Sequence, residues 1–168
     1  MKKFLKKRGV AITLMVVMIV LSVLIGLNTS FYSDRKAITD EYYQSSTGIQ
    51  MQLDRRIEAA NGLVSLARSQ QVEESLIEQV EKDAETLRSA NTPSEQFDAN
   101  SALSGSFSGL ADKLYSASEF TSAFEEAQQL IQESSYNQQA GQYNETLNSF
   151  PSILFRWAIF SQPLDEFR

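Results

Sequence analysis

The sequence predicts an all-α protein: a single N-terminal transmembrane helix followed by an up-and-down four-helix bundle. Three observations carry that prediction. A nearly unbroken apolar run fills residues 10–27, and after it apolar residues recur at helical spacing. The 168 residues also hold only three Pro and seven Gly, too few for a turn-rich β-fold or for disorder. The length suits one domain with a real core. The reading divides the chain into a basic cytoplasmic start (1–8), a transmembrane helix (9–31), a bundle (34–151) and an apolar tail (152–168).

The first element follows from charge and length. No charged residue lies between Gly9 and Ser33. Val10 to Leu27 is diluted by Thr13, Ser22 and Gly26 alone. At about 1.5 Å per residue such a run reaches about 27 Å, near the ~30 Å of a hydrocarbon core. Lys2, Lys3, Lys6, Lys7 and Arg8 flank one end, which places the N-terminus in the cytoplasm and the rest outside. A cleaved signal peptide is the competing reading. The run is longer than a typical h-region and no A-x-A-like site follows it, so an uncleaved anchor is expected.

The soluble elements follow from periodicity. Ile38, Tyr42, Ile49, Leu53, Ile57, Ala60, Val64 and Ala67 form one stripe, and without a Pro before Ala90 the anchor is expected to run straight into it. Val72, Leu76, Val80, Ala84 and Leu87 form a second stripe, with Ser69-Gln70-Gln71 either a short turn or an outer face. Thr92-Pro93-Ser94-Glu95 reads as N-cap, N1 proline and capping-box glutamate. The helix it opens carries Phe97, Leu103, Phe107, Leu110 and Leu114, with Gly105 and Gly109 small enough for close helix contact. A last helix is expected from Ser116–Glu119 to Ser149, with Pro151 ending it. Short connections make an up-and-down bundle the economical arrangement.

Charge and composition exclude much chemistry. Residues 1–36 carry seven basic residues against Asp34, while the remainder carries 8 basic and 20 acidic residues. An acidic body repels nucleic acid, so none is expected as a partner. No Cys and no His are present, which removes disulfides, thiolate nucleophiles, Ser-His triads and most zinc chemistry. Glu74, Glu78 and Glu81 share a helix face, but one helix alone makes a poor cation site, and a solvated face is expected. No phosphate loop, GxSxG elbow or metal motif occurs. Carboxylates, Tyr, Lys and Ser remain, and neither catalysis nor a cofactor is expected.

The last helix carries Tyr136-Asn137, Tyr143-Asn144 and Phe150-Pro151 at steps of seven, a ladder on nearly one face. Core aromatics are the plain reading; a face that recognises something is the sharper one. Further back lie Gln50-x-Gln52-Leu53-x-Arg55-Arg56 and Asn61-x-Leu63-Val64. In this order the motifs resemble the LemA family of bacterial membrane-anchored helical proteins over nearly the whole chain. The chain departs from the family pattern at Ala60, where Pro is usual, at Glu133–Ser135, where an Arg is missing, and in a shortened Tyr115–Phe124 stretch. The resemblance implies a four-helix bundle on one anchor and brings no established activity.

Arg55 and Arg56 point about 100° apart on a helix. Arg56 lies near the apolar stripe and is expected to be partly buried against a carboxylate or a phenol such as Tyr136 or Tyr143, the functional alternative for the pair being an anion or partner contact. In the tail, Phe155, Trp157 and Phe160 are candidates for a membrane interface, the alternative being a lid over the end of the bundle core. The function expected is a membrane-anchored extracytoplasmic scaffold or adaptor. Its partner would be an envelope or membrane protein, with self-association left open. An envelope sensor signalling through a membrane partner is the alternative, since eight cytoplasmic residues leave no room for an output domain.

Overall fold

The computed structural model describes the backbone of residues 2–168 and side chains from Arg8 onward. It is all-helical, with no strand among the described residues. The elements are α1 (Lys2–Gln44), α2 (Ile49–Ser69), α3 (Glu74–Ser89), α4 (Pro93–Ala111), α5 (Ser118–Glu133) and α6 (Tyr136–Asn148), then a 3₁₀ helix Ser152–Ala158 and an irregular end.

Two of these boundaries correct the sequence reading. The anchor does run straight into the stripe, through Ile38 and Tyr42, but not along all of it: α1 stops at Gln44 and a turn at Ser45–Gly48 precedes Ile49. Nor is the last helix continuous, because Ser134, with extended backbone, separates α5 from α6. Serine causes both breaks. Its hydroxyl competes with the helix for backbone groups. Ser45 Oγ accepts from Thr47 N–H (3.3 Å) and Ser134 Oγ from Tyr136 N–H (3.3 Å). Gly48 completes the first turn through close approach, since a Cβ there would stand 2.3 Å from the Glu41 carbonyl oxygen. Of Ser69–Gln71, Ser69 ends α2 and Gln70–Gln71 prove to be a turn, in which Gln71 takes φ 58° and Val72 N–H returns to the Ala67 carbonyl (3.2 Å).

The chain forms two compact units: Met1–Ala37 with Gln142–Leu164, and Ile38–Gly141 with Asp165–Arg168. In the second, α2 packs against α3, α4 and α5, and α3 packs on α4. The interior takes most of the predicted stripes: Leu53, Ile57, Ala60, Val64 and Ala67 of α2, Val80, Ala84 and Leu87 of α3, Leu103, Phe107 and Leu110 of α4, and Phe124 and Ala127 of α5 are buried, whereas Val72, Leu76 and Leu114 are half-buried, Phe97 is exposed, and Ile77 is sealed in place of Leu76. Phe107 and Phe124 stack with centroids 3.8 Å apart. The capping box at Thr92 and Glu95 forms as the sequence predicts, and its backbone hydrogen bonds hold the Glu95 carboxyl below the usual carboxylate range. Gly62 lets α5 approach, for a Cβ there would lie 2.3 Å from the Phe120 ring. Gly105 and Gly109 do not play that part. A Cβ on either would meet nothing within 4 Å, because both line an open groove between α3 and α4.

In the first unit the helix is long and apolar enough to cross a membrane, and its most apolar stretch is uncovered by protein. Val10, Ile12, Leu14, Met15, Met18 and Ile25 are exposed. The two hydroxyls in this stretch bond back to their own helix, Thr13 to the Gly9 carbonyl (3.0 Å) and Ser22 to that of Met18 (2.9 Å). No polar group of theirs is then left bare toward an apolar surrounding.

Candidate functional site

Arg56 sits on the core face of α2 with 1% of its surface exposed. Its position in the Leu53–Ala60 stripe puts it there, and the guanidinium is met by neutral groups. Nη1 donates to Asn100 Oδ1 and to Gln128 Oε1 (2.6 Å), and Nη2 donates to Ser104 Oγ (2.7 Å). The guanidinium carbon lies 3.7 Å from the centroid of the Phe124 ring. The expected carboxylate or phenol partner is therefore replaced by two carboxamides, a hydroxyl and an aromatic face. Burial with nothing of opposite charge lowers its pKa to about 10. Nε is buried and unpartnered. Arg55 is exposed, with Nη1 donating to Gln52 Oε1 (3.3 Å). Asn61 is exposed too, its carbonyl taken by Ser65 Oγ (3.0 Å), and it joins no cluster.

The Tyr-Asn ladder has a different use. In the second unit, Asn137 Nδ2 donates to the Phe167 carbonyl (2.8 Å) and Oδ1 accepts from Phe167 N–H (2.8 Å). Tyr136 Oη donates to the Asp165 carbonyl (2.6 Å). In the first unit, Asn144 Nδ2 donates to the Leu164 carbonyl (2.9 Å) and Oδ1 accepts from Leu164 N–H (2.8 Å). Tyr143 Oη donates to the Gln162 carbonyl (3.3 Å). One pattern appears twice. The carboxamide presents a donor and an acceptor side by side, so it pairs with one residue's N–H and C=O as a neighbouring strand would.

The device recurs elsewhere. Asn28 Nδ2 donates to the Ala158 carbonyl (3.0 Å) and Oδ1 accepts from Phe160 N–H (3.0 Å). Gln70 pairs both ways with Tyr115 (2.8 and 3.0 Å). Asn28, Gln70, Asn100 and Gln128 escaped the sequence reading. For Asn100 a signal existed: with Gln96 and Leu103 it falls at a helical step on the core-facing side of α4.

Around Phe167, Tyr42 and Phe97 close an aromatic pocket in the second unit, with centroids 6.4 and 5.4 Å away. Tyr42 is buried, its hydroxyl donating to Gln96 Oε1. Burial first, then the neighbouring Tyr43, Tyr136 and Asp165, push the phenol above its ordinary range. Asp165 accepts from Ser94 N–H (3.1 Å) in the first turn of α4, where the helix dipole favours a carboxylate.

Of the remaining candidates, Phe150, Trp157 and Phe160 are exposed, Phe155 is half-buried, and Pro151 caps the 3₁₀ helix. Glu74 and Glu81 take Arg68 between them (3.6 and 2.9 Å). No family model, curated protein or solved structure matches the chain.

Proposed function

We propose that the protein is a membrane-anchored scaffold or adaptor of the cell envelope. In this reading α1 crosses the membrane once with its N-terminus in the cytoplasm. The remaining helices then form an extracytoplasmic bundle that binds another protein. The observation that carries the reading is the exposed apolar surface of α1 from Val10 to Ile25, followed in the chain by a helical unit that buries most of its large aliphatic residues. The basic residues at 2–8 supply the orientation. The four helices α2–α5 read as an up-and-down bundle, and the resemblance to the LemA family points the same way. The buried polar groups support structure rather than chemistry: the ladder's carboxamides hold main chain, and Arg56 is fixed among neutral partners. Cross-linking of a tagged chain in native membranes tests the role. The expected result is a reproducible envelope partner or a self-assembly; neither adduct, at full occupancy of the cross-linker, contradicts it.

One observation favours a ligand-binding module instead. Arg56 borders a cavity of about 300 Å³ that Ser104, Thr121 and the acidic Asp112 and Glu125 also line. A free amino acid, which carries a group of each sign as this lining does, that raises the melting temperature of the chain but not of Arg56→Met would move the assignment to that reading.

A further inference from the structure

We propose that the segment from Phe150 to Phe160 is an interfacial collar, whose apolar side chains lie at the headgroup–acyl boundary of the bilayer that α1 crosses. The proposal rests on the reading of α1 as an anchor and adds to it a second lipid contact.

The placement comes from Asn28. It follows Leu27, the last residue of the apolar run. Its side chain donates to the Leu24 carbonyl of its own helix (3.0 Å) and to the Ala158 carbonyl (3.0 Å), and it accepts from Phe160 N–H (3.0 Å). Residues 158–160 are thereby pinned at the level where the hydrocarbon ends.

The exposure supplies the need. Phe150, Ile153, Leu154, Trp157 and Phe160 are 78, 55, 59, 82 and 85% exposed. Five large apolar side chains within eleven residues make a patch that water does not favour. Leu154 and Trp157, three apart on a 3₁₀ helix, lie nearly one above the other. Ser152 and Ile159 are buried and hold the segment from behind.

Composition selects the occupant. The chain after residue 36 carries 20 acidic residues, yet none lies between Glu145 and Asp165, where Arg156 is the one charge. A Trp, three Phe and an Arg without carboxylates suit the lipid interface, where an aromatic ring keeps its polar edge wet and an arginine reaches phosphate. Arg156 Nη1 donates to the Ile159 and Ser161 carbonyls (3.4 and 3.2 Å), which turns it back over the end of the 3₁₀ helix. Seven 3₁₀ residues advance about 14 Å, too short to enter the core as a span.

Trp157 is the one Trp, so the full-length chain carries its own probe. It is reconstituted in phosphatidylcholine vesicles whose acyl chains bear bromine near the glycerol end or near the methyl end. Flotation with the vesicles reports the anchor, and Trp157 emission reports the collar. The expected result is flotation, blue-shifted emission, and stronger quenching by the shallow bromines than by the deep ones. The triple variant Phe150→Ser, Leu154→Ser, Phe160→Ser is expected to float equally and to lose most of that quenching. Asn28→Ala, which frees the pin, is expected to float while the shallow-over-deep preference falls. A chain that floats with unquenched, water-like emission overturns the collar alone. Stronger quenching by the deep bromines overturns the interfacial depth. A chain that fails to float overturns the anchor and the collar together.

Discussion

Leu53, Leu63, Ile77 and Leu103 in the unit Ile38–Gly141 with Asp165–Arg168 are sealed from solvent, whereas Val10, Met15, Met18 and Ile25 in the unit Met1–Ala37 with Gln142–Leu164 are more than half exposed. Both sets are apolar and helical, so propensity does not separate them. Periodicity does. The sealed residues recur every three or four positions with polar residues between, and such a face must find other helices. The open residues surround their helix completely, and an all-round apolar surface needs an apolar solvent. The one unit covers its apolar face by internal packing, and the other leaves its apolar helix surface uncovered by protein.

The sharpest way to break this comparison is at the centre of the packed unit. Arg56→Ala leaves Asn100 Oδ1 and Ser104 Oγ without the donor they share, strips one of two donors from Gln128 Oε1 and opens a void over Phe124, at an expected cost of about 3–5 kcal/mol. Met18→Ala, on the open surface of α1, is expected to change stability by less than about 0.5 kcal/mol. Urea unfolding in detergent micelles, followed by helicity, measures both, and equal costs would remove the distinction.

The clamps come next. Asn137→Asp keeps the shape and loses the donor to Phe167, so about 1–3 kcal/mol is expected. Asn144→Asp should cost a similar amount if the two clamps are equivalent. Glycines sharpen the same contrast. Gly62→Ala drives a methyl into the Phe120 ring and is expected to cost about 1–3 kcal/mol, whereas Gly105→Ala, facing open space, should stabilise by about 0.5–1 kcal/mol.

Smaller effects concern pH and a turn. The Tyr42 phenol is raised above its ordinary value, so its contribution is complete below the pKa of an unfolded phenol and is lost as pH rises beyond it. Arg56, lowered to about 10, works in the opposite direction, since the unfolded chain then holds the proton more tightly. The difference in melting temperature between wild type and Tyr42→Phe isolates the phenol, and it should shrink above about pH 10. Gln71→Gly relieves a left-handed residue and is expected to stabilise by about 1 kcal/mol, read as a higher urea midpoint.

Much of this was legible in the sequence, and the reason differs by element. The α2 stripe from Leu53 to Ala67 and the capping box at Thr92 were read correctly because each is local: a repeat or a cap is complete within its own segment. The breaks at Ser45 and Ser134 were missed because serine stops a helix only when its hydroxyl finds a backbone partner, and composition does not show that. Arg56 was placed correctly and partnered wrongly. Which residues face it depends on how α4 and α5 pack, and a carboxamide cage with an aromatic floor leaves no charge pattern. The Tyr-Asn heptad was visible as a ladder, yet its use was hidden, because what it holds is main chain, and main chain has no sequence signature.

The central claim is that α1 holds the rest of the chain at the outer side of a membrane. Protease added to intact cells carrying a C-terminal tag tests it most directly, with spheroplasts where there is an outer membrane and a cytoplasmic protein as control. The account predicts loss of a full-length tagged chain on adding protease. A full-length tag that survives protease shown to be active would place the acidic helices in the cytoplasm and contradict the account.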